Sequence, residues 1–425
     1  MGGVPNRLPE QCDVAIVGAG AAGLATAIFA RRGLSPPSVV LLDGARTPGA
    51  KILVSGGNRC NVTNAEVTER DFRGGPPWIV RRILRAFPAS ETVRFFESIG
   101  VRLHQEEGGK LFPTTNRSRD VLAALLGATR DAGATLLGAS RVTAIEPAAS
   151  RFRLETPNGR LVAGRVVLAT GGLSLPKSGS DGAGLGFARR LGHTVVPATP
   201  ALVPLELAGE PGALHAALSG VALPAELSLW VDGALANRLA GPLLWTHFGI
   251  SGPVVLDMSR HLLRARLDGH AADLRASFCP GESFDALEAR WRRLVSEQPT
   301  ATVNTALSAL VPASMATALL GRLDLDAATR LSHLSREARR RLVHALIDWP
   351  LRVTGSRGYD HAEATAGGVP LTEIDPSSMA SRACEGLYLV GEMLDVDGRL
   401  GGFNFQWAWS SAFVAGRALA AHDGC

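Results

Sequence analysis

Three glycines and one acid carry the first recognisable chemistry in this chain. Gly18, Gly20 and Gly23 stand in a G-x-G-x-x-G order, and Asp43 follows the last of them by twenty residues. Glycine at the first position allows a tight turn, and at the second lets backbone approach a pyrophosphate. At the third it lets a helix pack closely on a strand. An acid at that distance is suited to accept hydrogen bonds from an adenosine ribose. The set works only between the right elements, and the sequence supplies them. Residues 12–17 read as a short buried strand. An alanine-rich helical stretch follows the glycines and closes near Gly33, and a second apolar run, 38–42, ends at Asp43. The order is βαβ, with free N–H groups and positive dipole at the amino end of the helix. Ala22, inside the turn, joins Gly18, Gly20, Gly23 and Asp43 among the expected nucleotide contacts.

Other glycine turns choose between dinucleotides. The run 386–392 is an apolar strand ending in Gly391-Glu392, and a further turn at 398–404 opens a helix reaching about residue 421. Two-domain flavoproteins place such a strand beside the flavin, where the acid holds a ribityl hydroxyl. A helix aimed at the flavin pyrimidine end would stabilise negative charge there. Ordinary turn glycines explain these glycines equally well, but not the acids Glu392 and Asp395 or the amides Asn404 and Gln406 around them. Residues 165–172 form another strand, ending in Thr170, Gly171 and Gly172, the usual return of the chain to the nucleotide. Counting from Gly182, a third fingerprint glycine would fall at Phe187, so no second dinucleotide domain is expected.

The segment 51–64, with Lys51, Ser55, Gly56, Gly57, Asn58, Arg59, Cys60 and Asn61, carries a resemblance. So do 246–253, with His247 and Ser251, and 391–398, together with 401–411, which holds Gly401, Gly402, Phe403, Asn404 and Gln406. Together they resemble the BaiN/RdsA-type FAD-dependent oxidoreductases, the YhiN-like flavoproteins, with matches from residue 13 through 416. Two positions depart from the family pattern. Asn58 stands where a third glycine is usual, and asparagine is the next best residue for a left-handed conformation. Phe403 replaces a tyrosine.

The resemblance implies an α/β fold: a split Rossmann-type FAD-binding domain with an inserted β-barrel-like domain and a small helical domain. The sequence parses the same way, as 1–196, 197–282 (short strands and turns), 283–348 (Leu287, Trp291 and Leu294 at helical spacing) and 349–425. The implied cofactor is FAD, with NADH or NADPH as transient reductant. Lys51 and Arg59 flank a glycine-rich loop and are expected to face the FAD phosphates. Ser55, Gly56 and Asn61 suit a flavin edge or turn structure. Val142, Thr170, Gly171, Gly172, Gly391, Glu392, Asp395, Gly401, Gly402, Phe403 and Asn404 complete the expected cofactor contacts.

Reducing an activated C=C bond requires a hydride on one carbon and a proton on its neighbour. Cys60 is one candidate acid, or else a small buried hydrophobe under the flavin. His247 is the other, or else a residue held locally in a turn. Family members imply two substrates for such a reduction, a small unsaturated enone or a uridine of ribosomal RNA. Amine oxidation, and FAD binding without catalysis, are the alternatives.

Composition bounds these readings. With 425 residues, 46% hydrophobic and 20% charged, the chain has material for two or three folded domains. Arginine dominates the basic residues; Lys51, Lys110 and Lys177 are the three lysines. A net charge of +5 and pI near 9.2 permit an anionic partner such as RNA. Arginines cluster at Arg81-Arg82-Arg85, Arg290-Arg292-Arg293 and Arg336-Arg339-Arg340-Arg341, which read as solvated helix faces or an RNA contact. The cysteines, Cys12, Cys60, Cys279, Cys384 and Cys425, form no C-x-x-C pair, so neither a disulfide framework nor a zinc site is expected. No apolar run reaches the ~18 residues of a membrane span. A cytoplasmic protein is expected, of open oligomeric state.

Overall fold

The computed structural model describes residues 7–209 and 213–421; Cys425 lies outside them. The chain divides into two compact units, Met1–Ala198 with Glu363–Cys425, and Thr199–Ala362.

The first unit is built on a seven-stranded sheet. Gln11–Val17 occupies its centre because Val14 to Val17 are buried on both faces, the signature of a covered parallel strand. Val39–Leu42 lies parallel on one side, followed by Thr135–Leu137. Gly159–Leu168 lies parallel on the other side, and its last residues pair in parallel with Leu387–Leu389. An antiparallel pair, Arg151–Thr156 and Ala144–Ala148, extends the Gly159–Leu168 edge. Helix Ala21–Ala30 follows the first strand, and the closing helix Phe403–Ala420 packs along it. Gly416 permits that approach, since a Cβ there would stand 2.5 Å from that of Phe29.

The second unit holds a seven-stranded antiparallel sheet in the order Trp349–Leu351, Ala272–Ser277, Ala222–Val231, Ala234–Thr246, Gly249–Ser251, Leu205–Leu207, Val353–Ser356. The two edge strands are separated in the chain by Arg352 alone, so the sheet must curl until its edges come together, a barrel-like closure. Asp232 and Gly233, both at positive φ, turn the long hairpin between Ala222–Val231 and Ala234–Thr246. Helix Pro253–Leu267 and the helices from Phe284 to Ile347 complete the unit. One hydrophobic cluster runs through strands and helices alike, joining Leu227 and Trp245 to Trp291, Leu319 and Leu342.

Candidate functional site

The glycine turn has the form its chemistry needs. Gly18 adopts φ +101°, and a Cβ on it would stand 2.5 Å from the Ala169 carbonyl oxygen. A Cβ on Gly23 would collide with the Gly18 carbonyl. Gly20 caps helix Ala21–Ala30 with no side chain bonded to the free amides, and open space lies where its own Cβ would be. An uncapped helix start facing open space suits a phosphate. Asp43 closes the second strand, its carboxylate accepting from Ala19 N (2.7 Å) and Ala45 N (2.8 Å) and keeping further lone pairs for a ribose. The main chain at Ser140, bonded to the Asp43 carbonyl at 2.7 Å, brings the buried Val142 segment alongside.

The segment after the second strand is a short helix, Ala50–Asn58, that breaks into a left-handed turn. Gly56, Gly57 and Asn58 take φ of 55°, 67° and 66°, and Cys60 takes 64°. Asn58 thus assumes the left-handed geometry expected of it. The Ser55 hydroxyl donates to Ile52 O within this turn. Lys51 and Arg59 are each paired with an acid. Lys51 Nζ lies 2.6 Å from Glu392 Oε2 and 2.8 Å from Ser174 Oγ. Arg59 pairs with Glu106 at 2.7 Å and covers the Phe112 ring at 4.0 Å.

Glu392 is therefore a hub. Ser174 Oγ donates to it at 2.8 Å, while Thr365 Oγ1 accepts from the amides of Leu173 and Ser174. Burial opposes its ionisation, but the Lys51 ammonium and hydrogen bonds from Lys51, Ser174 and Thr365 outweigh burial and hold its carboxyl below the usual range. Gly171 and Gly172 border this hub: a Cβ on Gly172 would stand 3.1 Å from Glu392 Oε1. The Thr170 side chain fills the space over Gly184. Gly391, at φ +74°, abuts Ala22 of the first helix, so the Gly18–Gly23 turn and the Gly391-Glu392 turn meet. Ser174 and Thr365 were not anticipated. Ser174 lies two residues past a glycine pair, whereas nothing local marks Thr365.

The closing helix pins the remaining pieces. Trp407 Nε1 donates to Gly391 O and Trp409 Nε1 to Val62 O. Gln406 is committed to structure, accepting from Thr63 and Thr92 and donating to Phe87 O and Ser410. Asn404 clamps both main-chain groups of Gly398. Phe403 is buried beneath the Arg399 guanidinium, and Asp395 meets Val369 through its main chain. Gly401 and Gly402 take φ of 131° and 94°, and Gly402 caps the helix without a side-chain bond. Beside it lies Asn61, 8% exposed, whose Oδ1 has no hydrogen-bond partner and would stand 2.9 Å from a Cβ on Gly402. A buried acceptor left unpaired beside free helix amides is a ready seat for the imide edge of a flavin. This donor–acceptor set and the Gly18–Gly23 cradle fit FAD.

The two candidate acids differ sharply. Cys60 is fully buried, and burial pushes its thiol up to about 12 against a smaller opposing pull from Ser55. His247 is exposed in the loop between Ala234–Thr246 and Gly249–Ser251 of the second unit, with Phe248 edge-on at 5.1 Å.

The HI0933-like protein Rossmann domain family matches residues 12–418. The chain is 32% identical over 407 residues to a 3-dehydro-bile acid delta(4,6)-reductase of Clostridium scindens, covering 96% of this chain and 98% of that one. It is 31% identical over 418 residues to a ribosomal RNA dihydrouridine synthase of Escherichia coli, covering 97% and 99%. A solved quinol-fumarate reductase with menaquinol molecules aligns with 98% of this chain and 72% of its own at a TM-score of 0.50 and 16% identity, a likeness of fold alone. From its full-length match and its glycine cradle, the chain belongs to the HI0933-like Rossmann family of FAD-dependent oxidoreductases.

Proposed function

We propose that this protein reduces a carbon–carbon double bond conjugated to a carbonyl, with NADH or NADPH as the transient reductant. The observation that carries the reading is full-length kinship with two enzymes whose names describe one such reduction, on a bile acid in one case and on ribosomal RNA in the other. Bound FAD supplies the hydride chemistry. The Gly18–Gly23 turn and the first helix hold the pyrophosphate, and Asp43 holds the ribose. Asn61 Oδ1 and the amides after Gly402 receive the imide edge, where the dipole of the closing helix favours negative charge. Lys51 and Ser174 keep Glu392 ionised as an acceptor for a polyol hydroxyl.

Cys60 serves as packing on a left-handed turn: a fully enclosed thiol whose pKa is near 12 is reluctant to part with its proton at neutral pH. His247 is the candidate donor to the substrate carbon. The four described cysteines are unpaired, which fits a reducing cytoplasmic setting.

The test is anaerobic. Purified yellow protein should bleach with NADPH or NADH and recolour on addition of an enone or a uridine-containing rRNA fragment. Failure of both nucleotides to bleach it, or of every alkene to restore the colour, refutes the reading.

A further inference from the structure

We propose that the outer face of helix Pro77–Ala86 is a docking surface for single-stranded nucleic acid, with a base stacked on Trp78 and phosphates held by Arg82 and Arg85. Trp78 is 59% exposed, while Trp245, Trp291, Trp407 and Trp409 are fully buried. Trp78, Arg81, Arg82 and Arg85 fall at i, i+3, i+4 and i+7, so they share one helical face. Ile79, Val80, Ile83 and Leu84 are buried on the opposite side and fix which face looks outward.

Of the three arginines on this face, Arg81 is paired internally with Glu69, and Arg82 and Arg85 are not. Residues 69–85 contain five arginines and two acids. Both acids are already taken, Glu69 by Arg81 at 2.6 Å and Asp71 by Arg399 at 2.7 Å. Arg82 and Arg85 are exposed, with no ion pair or hydrogen bond among the described residues. Several arginines of the second unit are engaged instead. Arg339 grips the buried Glu288, Arg292 approaches the same carboxylate, Arg340 covers Phe284, and Arg341 donates to the Leu323 carbonyl. An exposed indole among unneutralised guanidinium groups offers a stacking plane and phosphate contacts together, the pairing that single strands require.

Its position relates it to the flavin site of the same unit. Strand Phe72–Gly74, three residues before the helix, pairs with Val396–Gly398, which continues the Gly391-Glu392 turn. The inference goes beyond the proposed reaction, because binding at this face needs no flavin chemistry.

The test measures anisotropy of a fluorescein-labelled oligouridine of about 12 nucleotides with the full-length, FAD-loaded protein. Trp78→Ala should weaken binding roughly tenfold, and Trp78→Phe should restore most of it. Replacing Arg82 and Arg85 by Gln should lower the log–log salt slope by about 1.4, the share of two single-strand phosphates. Bleaching by NADPH should stay unchanged in all variants, which separates failure here from failure of the reductase reading. Equal oligouridine binding by wild type and variants overturns the proposal. So does loss of binding to phosphatidylglycerol vesicles in place of RNA, or a change confined to oligomeric size.

Discussion

Removing the ammonium of Lys51 would leave Glu392 in surroundings that oppose its charge. The pair is only partly reached by solvent, with side chains 24% and 19% exposed. Lys51→Met should therefore cost about 1–3 kcal/mol of stability in urea titration and weaken FAD retention. The pH dependence follows from the direction of the shift. Because the folded carboxyl titrates below its unfolded value, the stabilisation it gives is complete above about pH 4.5 and fades as pH falls through the folded value. The stability gap between wild type and Glu392→Gln should be widest at neutral pH and close in acid; a gap constant down to about pH 3 would count against the pairing. At the acid candidates, His247→Gln should slow recolouring by alkene roughly 100-fold or more while leaving bleaching intact. Cys60→Ala should keep most of the turnover. The reverse result would exchange their roles.

The turn Gly56–Asn58 shows what an element demands of its residues. Three consecutive left-handed residues cost an ordinary L side chain about 1–2 kcal/mol apiece. Open space lies where a Cβ on Gly57 would be, so Gly57→Ala should pay that strain and nothing more, about 1 kcal/mol in chemical denaturation. Asn58→Gly should change stability by less than about 0.5 kcal/mol, since relief of strain is offset by a looser unfolded chain. Gly23→Ala should do much worse and release the flavin, because its methyl meets the Gly18 carbonyl. These glycine positions were legible in the sequence because backbone sign and close approach are written locally, residue by residue. The Lys51–Glu392 pair was not legible as a pair: each residue was singled out, yet 341 positions separate them, and Lys51 was expected at phosphates. Asn404 and Gln406 stood out as amides near a flavin turn, but their bonds to Gly398 and Thr63 are structural. A side chain's type shows that it needs a partner, and only the fold says which one.

At the scale of the molecule, the sequence parses a return of the chain from residue 349, whereas the second unit runs on to Ala362, and the βαβ beginning could be followed from strand-and-glycine patterns. The extent of the cores could not. Residues 197–282 and 283–348 read as separate barrel-like and helical segments because periodicity reports the width of an apolar stripe and not what it faces. In the structure Leu287 and Trp291 share one hydrophobic cluster with Leu227 and Trp245, and a different cluster fills the nucleotide-binding unit. Two cores give a direct expectation for calorimetry. The proposed flavin cradle is composed of first-unit residues, so FAD at about 100 times its Kd should add about 2.7 kcal/mol to that unit by mass action. Trp291→Ala removes a fully buried indole from the other core and should cost about 3–5 kcal/mol there. Heating should thus show two transitions, one raised by FAD and the other lowered by the substitution. A single transition moved by both would mean that the two cores melt as one cooperative unit, and that FAD stabilises the inserted strands and helices as much as the sheet that holds its phosphates.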